Sequence, residues 1–436
     1  MSRIVVFLKK TKNYRKLIVE PVYQCLVFMV RFFEFIKNEL SLFLIRTYPN
    51  VYNRLKSEIL FQAMPEKNFK LMHINSKINS CFSVNPTPVG FIHINNILLL
   101  GKSRLLFDTE RPVVYSDISE NDSLFQLFTE YIFHDELFGI CEYHISNETL
   151  SFKKISFEPF ISLEGQWISL LHHGSENWMH WISEILPRLF VSNELLNDPP
   201  SLIIDADLPE SIYQSIKQAL NCRHIVRVNK HTIVHVTDLL IPEYSSYTLM
   251  WERGGQRRSG EWQFDEVALR RMRTKLLSVV KANKNAPQLI YSQRKSNYRH
   301  IKDENSLKLA LDDLGFLTIN TGSMSFIEQI EIFKNCKLLV IQAGATLANL
   351  IFMPAGSVAI VLALDSEYVH YKYFEQYAEI FDVSIEYIKC KSANPKEYPH
   401  GTAGSTKHPI NQDLVYDLNL VRSSVRVYCK ALNIKL

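Results

Sequence analysis

Residues 167–188 read Trp167-Ile168-Ser169-Leu170-Leu171-His172-His173-Gly174-Ser175-Glu176-Asn177-Trp178-Met179-His180-Trp181-Ile182-Ser183-Glu184-Ile185-Leu186-Pro187-Arg188. The apolar run Trp167–Leu171 reads as a buried strand, and Trp178, Trp181, Ile182, Ile185 and Leu189 then recur at helical spacing. A strand that runs out into Gly174-Ser175 and turns into a helix sets side chains at the carboxyl end of a sheet, where open α/β folds build their sites. Two tryptophans flank His180 in the first helical turn, and each indole N–H needs a partner when buried. The same pattern also describes a core histidine between two packing tryptophans. The stretch alone does not separate the two.

Outward from it, apolar strands and helical patterns alternate. Strand Ser201–Ile204, helix Glu210–Leu220 and strands His224–Val228 and Ile233–Ile241 read as one Rossmann-like half. Gly254-Gly255, with Arg253, Arg257 and Arg258, reads as an exposed connector. A helical pattern over 264–281 opens a second series: strand Gln288–Tyr291, helix Asn305–Leu314, strand Leu317–Ile319, helix Phe326–Phe333, strand Lys337–Ile341, helix Leu347–Phe352 and strand Val358–Leu362. Such alternation predicts parallel sheets with helices on both faces. Two series joined near residue 260 predict two domains across a cleft: 51–260 and 261–400, preceded by a segment 1–50 and followed by a tail 401–436. Within 51–160 only Val89–Leu100 and Leu105–Asp108 read as strands. Leu414–Leu432 reads as a helix that packs back.

The chain has 436 residues, enough for two α/β domains, with 47% hydrophobic and 22% charged residues, a globular composition. Its seven cysteines (25, 81, 141, 222, 336, 390, 429) are odd in number and scattered. That indicates neither a disulfide framework nor a Cys-x-x-Cys zinc site and favours a reducing compartment. Charge is uneven: residues 1–50 hold nine Lys/Arg against three Asp/Glu. Leu26, Met29, Val30, Phe33, Ile36, Leu40 and Phe43 recur there at helical spacing. The run 17–36 is too polar for a membrane span and lacks a signal peptide's apolar core. A basic amphipathic helix on an anionic membrane surface fits residues 1–45; a helix packed on the protein body fits them equally.

Two further stretches belong with the first. They are Tyr291-Ser292-Gln293-Arg294-Lys295-Ser296-Asn297-Tyr298-Arg299 and Gln342-Ala343-Gly344-Ala345-Thr346-Leu347-Ala348-Asn349-Leu350-Ile351-Phe352-Met353-Pro354-Ala355-Gly356-Ser357. Together the three resemble the signature of glycosyltransferase family 61, over roughly residues 165–365. The resemblance implies a GT-B architecture of two Rossmann-like domains facing across a cleft, and an inverting, metal-independent transfer from a nucleotide sugar, most naturally a UDP-sugar. No cofactor is implied beyond this co-substrate. Where the family usually has His before Gly-Ala, this chain has Ala343, so that histidine's role does not carry over to it. Asp303 stands where relatives often show Asn.

Glycosyl transfer needs a base for the acceptor hydroxyl and positive charge for the departing diphosphate. His180 titrates near neutrality and suits the base. Glu184, four residues on, orients it or acts itself; alternatively Glu184 and Arg188 form a structural ion pair. Asn177, Trp181 and Arg188 are assigned to the acceptor side around His180. Arg294 and Arg299, with Lys295, suit a diphosphate without a metal, although the same residues describe a solvated basic loop. Gly344, Ala345, Thr346 and Asn349 open a helix whose backbone N–H groups and side chains favour an anion, or make a plain turn. Asp205-Ala206-Asp207 after strand Ser201–Ile204 is a competing manganese motif, and also reads as a turn and helix cap. A metal site on His172, His173 and His180 has no matching ligand set elsewhere. No clustered basic stripe with interleaved aromatics suggests nucleic-acid binding.

The expected partners are therefore a nucleotide sugar, a glycan or lipid-linked glycan acceptor in surface polysaccharide synthesis, and the inner face of the cell membrane through residues 1–45. The other reading is a catalytically silent glycan- or nucleotide-binding subunit, for which Ala343 speaks.

Overall fold

Ile161–Ser169, which extends the expected Trp167–Leu171 run toward its amino end, is an inner strand of a ten-stranded sheet. The computed structural model describes residues 69–73, 91–108, 113–116, 141–144, 149–152, 161–196, 198–219, 221–230, 232–242, 246–248, 262–281, 286–295, 299–365, 371–393 and 412–436. The basic segment 1–50 and the Gly254-Gly255 connector lie outside them. Among the described residues no helix is long and apolar enough to cross a membrane.

In chain order the first sheet holds β1 (Phe69–His73), β2 (Phe91–Leu100), β3 (Leu105–Asp108), β4 (Val113–Ser116), β5 (Cys141–His144), β6 (Thr149–Phe152), β7 (Ile161–Ser169), β8 (Ser201–Asp205), β9 (His224–Val228) and β10 (Ile233–Pro242). Their order is β5-β6-β1-β4-β3-β2-β10-β7-β8-β9. Only β10-β7-β8-β9 is the parallel, Rossmann-like part. The rest is a largely antiparallel arm attached through β2 on β10. The expectation of a parallel sheet thus holds for 161–242 and gives way before it, where β2 and β3 are joined by the tight turn Gly101–Arg104 rather than by a crossover helix. β7 bulges at Gly165, whose φ of 79° lies in the left-handed region and whose N–H donates to Thr237 Oγ1.

A two-strand ladder, β11 (Tyr247–Thr248) with β12 (Trp262–Gln263), precedes the second sheet. That sheet holds β13 (Leu289–Ser292), β14 (Leu317–Ile319), β15 (Leu338–Gln342), β16 (Val358–Leu364), β17 (Ser384–Ser392) and β18 (Leu414–Val415). β13, β15 and β16 are buried along their whole length, as strands covered on both faces must be. The order is β14-β13-β15-β16-β17-β18, parallel except for the short β18. Strand order therefore reverses between β13 and β15, and this switch point opens a crevice beyond their carboxyl ends.

The helices are α1 (Trp178–His180), α2 (Leu186–Leu195), α3 (Glu210–Ala219), α4 (Glu266–Val279), α5 (Glu304–Asp312), α6 (Phe326–Phe333), α7 (Lys372–Glu379) and α8 (Leu418–Ala431). Leu307 and Leu311 of α5 with Val421 and Val425 of α8 cover one face of the second sheet. The other face shares a core with the first sheet: Ile168, Leu202, Trp181, Leu189, Met272, Phe326, Ile341 and Val361 belong to one apolar cluster. Residues 65–436 form one compact unit. α4, the first helix after the expected junction near residue 260, contributes Leu269, Met272 and Leu276 to that shared core.

Between α1 and α2 the helix widens into a π-turn, Trp181–Ile185, in which Leu186 N–H donates to Trp181 O. The uniform helical spacing gave no sign of this. Pro187 supplies the cause: it has no N–H, and its ring excludes the carbonyl one turn earlier, so the preceding turn must open. The segment after Gly344 differs from the expected α-helix as well. Ala345–Phe352 is a 3₁₀ helix.

Candidate active site

The site on the first half grows from the carboxyl ends of β7 and β8. Asn177 caps α1, its Oδ1 accepting from Met179 N–H at 2.9 Å. The turn before it is held from below: His172 N–H donates to Asp205 Oδ2 (3.1 Å), and Gly174 N–H donates to His172 Nδ1 (3.0 Å). A methyl group on Gly174 would stand 3.0 Å from His180 Cδ2, so the absence of a side chain there lets the imidazole pack against the turn.

His180 Nδ1 meets Glu184 Oε1. Glu184 is fully buried, and its other oxygen lies 3.6 Å from His172 Nε2 and 3.7 Å from Arg104 Nη1. His180 at hydrogen-bond distance holds the Glu184 carboxyl well below the usual range, against the opposing effect of burial. An ionised carboxylate only accepts, so Nδ1 of His180 carries its proton and Nε2 is left as the basic atom. The same logic fixes His172. Its Nδ1 accepts from Gly174, so its Nε2 is protonated, and burial lowers its pKa to about 3. His173 stacks on His172 with centroids 4.2 Å apart.

One ligand atom each of His172, His180 and Glu184 lie within 4.8 Å of one another, a set resembling zinc sites. The donors do not fit a metal. Gly174 N–H occupies His172 Nδ1, so Nε2 has no lone pair to offer, and the Arg104 guanidinium stands beside the same carboxylate. Asp205 and Asp207 are occupied too. Asp205 accepts from two backbone N–H groups, of Lys102 and His172, and burial pushes its carboxyl up to about 6. Lys102 Nζ sits among Asp207 (3.0 Å), Ser175 Oγ (3.2 Å) and Glu176, where a cation of the Asp-x-Asp reading would stand.

On the second half, the loops after β13 and β15 flank the switch point. The ideal Cβ position of Gly344 lies 2.7 Å from Arg294 Nη1 and 3.9 Å from Arg299 Nη1, so both guanidinium groups converge on that glycine. Arg299, with φ 61°, is held in its left-handed conformation by Gln342 Nε2, which donates to its carbonyl at 2.9 Å. Arg299, Gln342, Gly344, Tyr371 and Tyr373 border a recess of roughly 350 Å³ open to solvent. Ala345 and Thr346 are half-buried beside it, and Lys295 is exposed.

Other assigned residues stand elsewhere. Asn349 is fully buried, accepting from Trp178 Nε1 (2.8 Å) and donating to Gln329 Oε1 (2.9 Å). Its side chain ties the halves together and is not offered to a donor sugar. Trp181 lies in the core and donates to Ser215 Oγ at 2.7 Å. Arg188 Nε donates to the Glu184 carbonyl, beneath the site. Sequence reasoning missed Lys102, Arg104, Gly174 and the structural part of Asp205. Of these only Gly174 carried a local signal, as a glycine between strand and helix.

No curated protein matches the chain significantly. Residues 178–360 match the family model described as Glycosyltransferase 61. That span runs from Trp178 through His180, Glu184, Arg294, Arg299 and Gly344 to β16, and it identifies this part of the chain as that of a family 61 glycosyltransferase.

Proposed function

We propose that the protein is an inverting, metal-independent glycosyltransferase that moves a sugar from a UDP-sugar to a lipid-linked glycan in surface polysaccharide synthesis. The two sheets act as the donor and acceptor halves of a GT-B arrangement, and residues 1–45 hold the enzyme to the cytoplasmic face of the membrane. The observation that carries this reading is the convergence of Arg294 and Arg299 on Gly344 at the switch point of the second sheet. Guanidinium groups bind phosphate oxygens bidentately and stay charged, as a leaving diphosphate requires.

In this mechanism Nε2 of His180 takes the proton of the acceptor hydroxyl as its oxygen attacks the anomeric carbon. The bond from that carbon to the diphosphate breaks on the opposite face, and configuration inverts. Arg294 and Arg299 take up the charge on the departing phosphate oxygen. Glu184 keeps His180 in the Nδ1–H form throughout.

Purified protein given a panel of UDP-sugars with chelator present should release UDP and form a product of inverted anomeric configuration. Activity lost to chelator, restored by manganese and abolished by Asp207→Ala would overturn the metal-independent reading. Tight nucleotide binding with neither transfer nor hydrolysis would identify a silent subunit instead, the outcome that Ala343 keeps in view.

A further inference from the structure

The turn Gly101–Arg104 lies outside the span that matches the family, yet all four of its residues are buried. It is built for close approach. A methyl group on Gly101 would stand 2.0 Å from the carbonyl oxygen of Asn229, so only glycine fits. Gly101 N–H donates to Thr232 O, Ser103 N–H to Leu100 O, and Lys102 N–H to Asp205 Oδ1. Lys102 adopts φ 64°, in the left-handed region. A non-glycine residue there is uncommon, and anchored neighbours must hold it.

What this turn delivers is charge. Arg104, 5% exposed, brings Nη1 to 3.7 Å from Glu184 Oε2 and 3.5 Å from His172 Nε2. A buried carboxylate that lost its cationic surroundings would protonate rather than stay charged. A protonated Glu184 would be a donor, and His180 would turn its lone pair to Nδ1 to receive it. Its Nε2 would then carry the hydrogen and could accept nothing.

We infer that Arg104 is a positioning residue for glycosyl transfer, holding Glu184 as the carboxylate that fixes the His180 tautomer. The inference rests on the reading of His180 as the base. The charged and titratable groups around Glu184 are His180 on its own helix, His172 and His173 from the turn after β7, and Arg104 from the turn after β2. Arg104 is the permanent cation of the set, so it favours the ionised Glu184 at every pH and opposes protonation of both histidines nearby.

The test compares Arg104→Met, Arg104→Lys and His180→Ala, reading kcat, the KM for the UDP-sugar and the pH–rate profile. Arg104→Met should lower kcat at least about tenfold with KM nearly unchanged, and move the acidic limb of the profile to higher pH. Arg104→Lys should restore the limb. If His180→Ala abolishes transfer while Arg104→Met leaves kcat and the acidic limb as in wild type, Arg104 has no such part and the base reading stands. If His180→Ala retains full activity, the base reading itself fails. Imidazole ¹⁵N NMR of the wild-type protein, with the His180 signals assigned by His180→Gln, needs no Arg104 variant to fold. The Nδ1–H form is expected, and the Nε2–H form would overturn the proposal.

Discussion

Trp178 and Asn349, 171 positions apart in the chain, are joined by a 2.8 Å hydrogen bond from the indole N–H to the amide oxygen. Trp178 begins the helix that carries His180, and Asn349 lies in the 3₁₀ helix that follows Gly344. One contact therefore ties the base side of the site to the donor side. Asn349 passes the link on to Gln329, and Phe326 packs edge-on to Trp178 at 6.0 Å.

Replacing Trp178 by Phe keeps the ring contact and strands the amide oxygen of Asn349 without its donor. A buried acceptor left unmade costs roughly 1–3 kcal/mol, so the unfolding midpoint in urea should fall accordingly. A double-mutant cycle of Trp178→Phe with Asn349→Ala should return a coupling of at least about 0.5 kcal/mol. Simple additivity would show that the two residues do not cooperate.

Gly344→Ala places a methyl group 2.7 Å from Arg294 Nη1, and the guanidinium must move. Loss of a hydrogen bond to a charged group is worth about 1.5–3 kcal/mol, or roughly 10- to 100-fold in affinity. Calorimetric titration with UDP should show that weakening in both Gly344→Ala and Arg294→Ala, with chelator present throughout. Wild-type affinity in Gly344→Ala would mean that the packing of Arg294 on Gly344 is unrelated to nucleotide binding.

His180→Ala should lower turnover by about 10²–10⁴ with UDP affinity nearly intact, the usual effect of removing a general base. Gly174→Ala gives a gentler version, because its methyl group would crowd the imidazole at Cδ2. About a tenfold loss of kcat is expected, since displacement by an ångström costs on the order of 10². A fully active Gly174→Ala enzyme would argue that the placement of His180 is not critical.

His172 gives the pH dependence of stability its sign. Burial lowers its folded pKa to about 3, against an ordinary value of 6.5. Between those values the unfolded chain binds a proton that the folded chain does not. Stability is thus fully present above about pH 6.5 and drains away as pH falls toward 3, by a few kcal/mol in all. Urea unfolding at pH 7.5 and 5.5 should reveal the loss, and His172→Gln should reduce it. An equal loss in the variant would assign the effect to other groups.

Strands His224–Val228 and Leu317–Ile319 and helix Phe326–Phe333 were legible to the residue. Their apolar runs are short and sharply bounded, and Ser325 with Glu328 forms a capping box at the helix start. β17 escaped notice because Glu386, Lys389 and Lys391 interrupt its apolar positions, as suits a strand near the sheet edge. Arg294, Arg299 and Gly344 were found because each follows an apolar strand directly. Lys102 and Arg104 were not: a charged pair in a hairpin turn reads as solvated, and only the tertiary fold buries it. Asn349 shows the opposite error, for a polar residue near a glycine loop reads as a ligand contact until its two partners, distant in the chain, are seen.

The π-turn at Trp181–Ile185 makes the length of this segment as important as its composition. Deleting one residue there would let an ordinary α-helix form and would rotate everything downstream by about 100°. Arg188 and the apolar face of α2 would then point away from the core they now meet. An alignment that closed a one-residue gap at this point would pair the wrong side chains from Leu186 onward, while leaving His180 and Trp178 in register.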